Sequence, residues 1–344
     1  MLASPVVSVP VWSALAVGFG TWVQGGVVWL RGGMSHVTDS RAEIPVHTRR
    51  AVLAAGAGWL LCSCGAPLST PRSAVSSSGP RVVTSRPQPS LSTVPSSQAP
   101  IHVLTRAQAI AKYGSQRPRE WGMTVTGTVL SLGAKAVAEN AIALTFDACG
   151  GPTAYSAGCG YDARLIDFLR SRRAKATLFL NHRWIRANPE IAAELAADPL
   201  FEIGNHGRLH RPLSVSGQMA YGEHGTRNVG EAYDEVAGNM ATLMRLTGHE
   251  PRWFRAGTAH CDEVAVRMVG DMGQRVVNFT VNGDFGTTAT VGQVVSQLAT
   301  VKAGDIVISH MNRPEHDTAA GYRAGLDAVL SKGLRTVTLS EYLA

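Results

Sequence analysis

Acidic residues are nearly absent from the first hundred positions, where Asp39 and Glu43 stand against seven Lys and Arg. The remaining positions hold 25 basic and 23 acidic residues, so most of the formal charge of +7 belongs to the leading segment. No clustered basic face follows, which excludes nucleic acid as a partner. Between Gly65 and Pro100 there is no aromatic residue, and Ser, Pro, Thr, Ala and Val dominate. Such a composition buries too little surface to offset chain entropy, so 65–100 is expected to be a disordered linker. No Gly-rich phosphate loop follows the first strand of the folded part, which argues against nucleotide binding. Cysteine is scarce, with five in 344 residues, and two of these, Cys62 and Cys64, precede the linker.

The leading segment reads as an export signal. Arg49-Arg50 precedes the apolar run Ala51–Leu61, and Leu61-Cys62-Ser63-Cys64 closes it. The run is shorter than the roughly 20 residues that cross a bilayer. Paired arginines before a short apolar run resemble a twin-arginine signal, and the closing tetrapeptide resembles a lipoprotein cleavage box with Cys64 as the lipidated residue. An ordinary cleaved signal without lipid is the alternative. Residues 1–33 are also apolar, but Gly and Pro interrupt them, and translation is expected to start at Met34. The chain thus divides into an export region at 1–64, a linker at 65–100 and a folded domain at 101–344. The expected location is the extracytoplasmic face of a membrane, anchored through Cys64, or secreted, with the protein acting as a monomer.

After Asn140, apolar strand-like runs alternate with segments of helical period. AIALTF, KATLFLN, FEIG, RWF, 274–281, 305–309 and 336–339 read as strands. Between them, 162–173 (with Asp162 as its cap), PEIAAELAA, 231–246 closed by Gly248, 262–272, 291–298 and 321–330 read as helices. Met123 to Leu130, with its alternating threonines, reads as a leading strand or hairpin. Repeated strand–helix units imply an α/β fold with a mainly parallel sheet. Several strands end on polar residues (Asp147, Asn205 and His206, Arg255, Asp284, His310), the placement of catalytic groups at the C-terminal mouth of a barrel. A closed or nearly closed barrel is therefore preferred to an open doubly wound sheet.

His206 and His210 lie four apart just after a strand, a spacing that lets both imidazoles meet one ion or leaves both solvated. Asp147 is suited to a base, a ligand or a cap to the next turn. Arg255 suits a charge-assisted bond to that carboxylate or an ion pair with Asp284, and His310 suits a proton donor whose tautomer Asp284 fixes.

TFDACGG (145–151), NHGRLH (205–210), FRAGTAHC (254–261), NGDFG (282–286) and IVISH (306–310) resemble, in order, the five motifs of the polysaccharide deacetylases, carbohydrate esterase family four. The similarity covers about residues 140–340. It implies a distorted (β/α) barrel that removes acetyl groups from N-acetylated sugars of a glycan with one divalent metal, zinc being expected. By position, Asp147 corresponds to the base, Arg255 to the residue orienting it, His206 and His210 to metal ligands, His310 to the acid and Asp284 to its partner. A backbone N–H near Cys149 would help hold the oxyanion.

The resemblance breaks at Ala148, where the family has a second aspartate that ligates the metal. Asp147, Cys149, Asp162 or an additional water are the candidates for that place, with water or Asp147 favoured. Ala256 and Gly257 replace a proline-rich stretch, and Phe285 stands where Trp is frequent. Of the cysteines left after export, Cys149 and Cys261 are expected to form a disulfide, with Cys149–Cys159 as the second choice. Two other functions stay open: a surface lipoprotein that binds glycan without turnover, and a cysteine hydrolase using Cys149 and His310.

Overall fold

The computed structural model describes residues 104–151 and 158–343. The export region, the Met34 start, the lipid site at Cys64 and the linker lie outside the described residues. Among the described residues no helix is long and apolar enough to cross a membrane.

Eight parallel strands form the central sheet: β1 (Ala141–Ala148), β2 (Ala176–Leu180), β3 (Phe201–Asn205), β4 (Trp253–Phe254), β5 (Arg275–Val276), β6 (Val281–Asn282), β7 (Ile306–His310) and β8 (Arg335–Val337). Their order is β6-β7-β1-β2-β3-β4-β5, with β8 also on β1. β1 is buried along its whole length, as expected for a parallel strand covered on both faces. The stretch 274–281, expected as one strand, is two. β5 pairs with β4 and β6 pairs with β7, so a single segment, 275–282, bridges the two ends of the curled ladder. The change of partner breaks the strand: the Val277 N–H still bonds the Phe254 carbonyl, whereas that of Thr280 bonds Ile306.

Strand alternation sorts the side chains of β1 into two sets. Ile142, Leu144, Phe146 and Ala148 join the large cluster under the outer helices, with Leu165, Leu180, Trp184 and Tyr322. Ala141 and Ala143 face the smaller inner cluster, with Phe179, Trp253, Val277 and Ile306. Thr145 and Asp147 continue that inner set towards the C-terminal end. Register then lines up the strand ends: His310 pairs with Asp147, and Asn205 with Phe254, one residue before Arg255.

The helices fall close to the expected places, at Ala163–Ser171, Pro189–Ala197, Val229–Thr247, Glu263–Asp271, Val291–Thr300 and Thr318–Leu330. Gly248 ends the third in a left-handed conformation, φ 79°. A short helix, His182–Ala187, escaped the sequence reading. Asp162 occupies the cap position of the first helix but its carboxylate makes no cap bond, being turned to the Arg164 guanidinium at 3.1 and 3.3 Å. The leading segment is less regular than the strand or hairpin expected at 123–130: only Trp121–Gly122 forms a strand, antiparallel to Cys261–Asp262, and Val129 makes an isolated bridge to Val277.

Candidate active site

The carboxylate of Asp147, at the end of β1, is 3% exposed and is held by the Arg255 guanidinium, Nη1 to Oδ1 at 2.8 Å. Arg255 is itself fully buried. Its remaining donors reach Thr145 Oγ1 (2.9 Å) and the carbonyls of Val277 (3.1 Å) and Asn278 (3.3 Å), and its plane lies 4.2 Å from the Phe179 ring centre. A guanidinium so fully engaged cannot swing away, so one carboxylate oxygen is fixed and Oδ2 remains on the site side. Asp284 is not the partner of Arg255.

Asp284 instead holds His310. One oxygen meets His310 Nδ1 at 2.9 Å, and the other accepts the His310 backbone N–H (2.8 Å) and the Thr318 hydroxyl (3.0 Å). A carboxylate only accepts, so Nδ1 carries the proton. Burial disfavours the imidazolium, but the Asp284 charge and hydrogen bond outweigh it and hold His310 well above its ordinary value.

His206 Nδ1 lies 3.0 Å from the Arg255 carbonyl, which can only accept. Nδ1 therefore carries a proton, and Nε2 points to Asp147 Oδ2 and Cys149 Sγ, each 3.6 Å away. His210 sits edge-on to it, ring centres 4.8 Å apart. The ligand atoms of Cys149, His206 and His210 all lie within 4.8 Å of one another. A tetrahedral zinc with Zn–S about 2.3 Å and Zn–N about 2.0–2.1 Å separates S from N by about 3.5 Å, so the observed 3.6 Å needs little adjustment. This donor set fits a borderline divalent ion.

Among the described residues Cys149 forms the group with both histidines that could hold an ion; Asp147 keeps Oδ1 on Arg255 and turns Oδ2 to the same side, and Asp162 faces Arg164. The Cys149–Cys261 disulfide does not form, nor does Cys149–Cys159. Cys261 is turned to the leading segment, its sulfur 3.8 Å from the Gly122 carbonyl and 3.9 Å from Thr128 Oγ1. Burial pushes that thiol up to about 12. The Cys149 thiol goes the other way: burial opposes ionisation, but His210, His206 and His310 outweigh it and bring it well below the ordinary value.

The loop that carries both histidines is held by Glu235 and Asn181, outside the five motifs, and by Asn205, Gly207 and Gly257 within them. The buried Glu235 carboxylate accepts the N–H groups of Leu209 (2.9 Å) and Arg211 (3.2 Å). Gly207, at φ 74°, must lack a side chain because a Cβ would stand 2.5 Å from Glu235 Oε1. Asn205 Oδ1 accepts the Gly207 N–H (3.0 Å), and Asn181 Nδ2 reaches the carbonyls of His206 and Gly207, each at 2.8 Å. Gly257 has a comparable role, since a Cβ there would lie 2.2 Å from the His210 carbonyl oxygen. Helical periodicity places Glu235 on the inner face of its helix, a signal that a buried acid there has backbone partners, but not which ones.

A groove of about 910 Å³ opens over these groups, walled by Met123, Leu209, Tyr221, Phe279 and Phe285. Tyr221 is 78% exposed and Phe285 40%, so aromatic faces are presented to an incoming ligand. Thr258 also lines the groove, at φ 61°, and its buried hydroxyl has no hydrogen-bond partner among the described residues.

Residues 134–277 match the polysaccharide deacetylase family. The Bacillus subtilis protein YlxY is 24% identical over 187 residues, and this chain spans 54% of its length, the aligned part being 54% of this chain. A peptidoglycan-N-acetylglucosamine deacetylase of Bacillus cereus is 26% identical over 212 residues, covering 60% of this chain and 89% of that protein. The crystal structure of a family 4 carbohydrate esterase pseudoenzyme from Bacillus anthracis shares the fold, with TM-score 0.50 and 20% identity over 60% of this chain and 66% of its own. The curled parallel sheet covered by helices is that of the family 4 carbohydrate esterases.

Proposed function

We propose that this chain, whose residues 134–277 match the polysaccharide deacetylase family, hydrolyses the N-acetyl amide of an N-acetylated sugar in a cell-wall glycan. The observation that carries this reading is the pairing of two proton-transfer groups in one strand register: Asp147, bonded by Arg255, and His310, whose imidazolium is favoured by Asp284. A pure binding groove has no need of a fixed base facing a fixed acid.

His206 and His210 would hold a divalent ion, zinc by its taste for nitrogen donors. Such an ion supplies Lewis acidity toward the amide carbonyl and an acidified water. Asp147 Oδ2, the oxygen not bound by Arg255, takes the proton of the attacking water. The His310 Nδ1–H stays on Asp284, leaving the Nε2 proton for the departing amine as the C–N bond breaks. Protonating the leaving group is required because an amide anion is too basic to leave. The exposed rings of Tyr221 and Phe285 offer apolar surface to the faces of neighbouring sugar rings.

The rest of the organisation is proposed on sequence grounds: an export region ending at Cys64, a linker at 65–100 and a monomeric catalytic domain at 101–344, tethered outside the membrane through lipid. A Cys64→Ala variant that stays membrane-bound would overturn the tether.

The chemistry is tested with the full chain by acetate release from N-acetylated glycans, before and after chelation. Release that disappears on chelation and returns with zinc or cobalt is the expected result. No release from a metal-loaded chain would favour the second reading, a glycan-binding lipoprotein without turnover, to which Ala148 in the second position of the first motif gives its support.

A further inference from the structure

We infer that Cys149 is the third protein ligand of the metal site, replacing carboxylate by thiolate and making the site selective for thiophilic ions. The inference rests on the reading of His206 and His210 as metal ligands.

Strand alternation provides the first argument. Residue 148 points outward, and Ala148 is packed with Leu180 and Trp184 in the outer cluster. Two positions after Asp147 the chain faces the site again, and there it carries Cys149, whose sulfur lies 3.6 Å from His206 Nε2. The turn that follows is built for this placement. Gly150 has φ 72°, a Cβ on it would stand 2.7 Å from the Trp184 nitrogen, and its N–H bonds the Gly158 carbonyl at 3.1 Å.

Apart from Asp147 Oδ2, which lies 3.6 Å from His206 Nε2 and is read as the base, the neighbouring carboxylate oxygens have other partners. Arg255 occupies Asp147 Oδ1, Asp162 is paired with Arg164, Asp284 with His310 and Thr318, and Glu235 with the backbone of 209–211. Glu223 is 3.8 Å from His210 Nδ1 but half exposed at the groove rim, a place suited to orienting that imidazole. Among the described residues, Cys149 thus completes a group with both histidines.

On ligation the thiol proton leaves to solvent as the sulfur–metal bond forms, and the thiolate supplies the single negative charge a carboxylate would have given. One soft sulfur with two imidazoles favours zinc, cobalt and cadmium over magnesium, calcium and manganese. Asp147 then remains available as a base.

The test is the absorption spectrum of the full chain reconstituted with cobalt(II). A near-ultraviolet thiolate-to-cobalt charge-transfer band is expected in the wild type and in the Cys159→Ala and Cys261→Ala variants. It should be absent from Cys149→Ser, whose zinc affinity should also fall by at least about 100-fold, beyond the 10–100-fold typical of losing an outer-shell partner. Cobalt bound by the wild type without that band overturns the inference even if Cys149→Ser fails to fold, as does a band that survives in folded Cys149→Ser. The two readings separate cleanly. Acetate release without the band would sink the thiolate and keep the hydrolase, and the band without acetate release would keep the thiolate and sink the hydrolase. A wild type that binds neither cobalt nor zinc overturns both.

Discussion

Asp284 grips His310 at two points, its imidazole Nδ1 at 2.9 Å and its backbone N–H at 2.8 Å, so ring and strand end are fixed by the same carboxylate. The contact does more than orient. It favours the charged imidazole against the effect of burial.

The Asp284→Asn variant should therefore lose the alkaline side of its rate profile first. Without the carboxylate charge His310 releases its proton at lower pH, and kcat/KM should fall at least about 10-fold at neutral pH, with its alkaline limb displaced to lower pH. Stability changes with the same sign. A raised histidine stabilises the fold fully below its unfolded value near 6.5 and ceases to do so as pH rises through the folded value. The gap in urea-unfolding free energy between wild type and variant should narrow towards alkaline pH. A gap that widens would contradict the assignment.

Arg255 and Asp147 are a buried pair, and removing one partner strands the other. Arg255→Met should cost about 3–5 kcal/mol of stability, whereas Arg255→Met combined with Asp147→Asn should cost less than the two single changes added. Chemical denaturation of the three variants checks this. Additive costs would mean that the two residues do not act as a pair.

Glu235 lies outside the five motifs, yet Glu235→Ala should weaken metal binding about 10–100-fold, as expected for a group that only positions ligands. It should also cost about 1–3 kcal/mol through the N–H groups of Leu209 and Arg211 left without an acceptor. Glu235→Gln, which keeps an acceptor oxygen, should recover most of the affinity. Competition with a zinc-binding dye gives the measurement, and equal affinities in wild type and Glu235→Ala would remove its role.

Chelation should lower the thermal midpoint. A ligand present at 100 times its dissociation constant stabilises by about 2.7 kcal/mol, which for a domain of this size corresponds to about 5–10 °C. A scan that is the same with and without chelator, on protein shown to contain metal beforehand, would mean that the ion does not brace the fold.

Much of this arrangement was legible in the sequence because period and punctuation survive without context. The apolar run ending at Asp147, the helix closed by Gly248 and the terminal His310 each advertise their element locally, and the ordered motifs give the fold. What stayed hidden depends on partners remote in sequence. Nothing in residues 274–281 announces that the strand changes neighbour midway, since β-branched and aromatic residues run through both halves. Glu235 looks like any acid on a helix until the turn at Gly207 is brought against it. The cysteine pairing failed because two strand-end positions share a motif role without facing each other: Cys261 turns to Thr128 and Gly122, Cys149 to the histidines. The capping expectation for Asp162 failed because Arg164 competes for the same oxygens.

The segment that bridges the ends of the sheet gives Arg255 a second duty. Two of its donors reach the carbonyls of Val277 and Asn278, between β5 and β6, where the backbone is changing from one strand partner to another. The guanidinium that positions a base is thus also a clasp on the seam of the barrel. In a lineage that abandoned turnover, Asp147 and His310 would be free to drift, but Arg255 would still be retained for architecture. An intact arginine at this position is accordingly weak testimony that a relative is active, and an altered one predicts a seam rebuilt by other means.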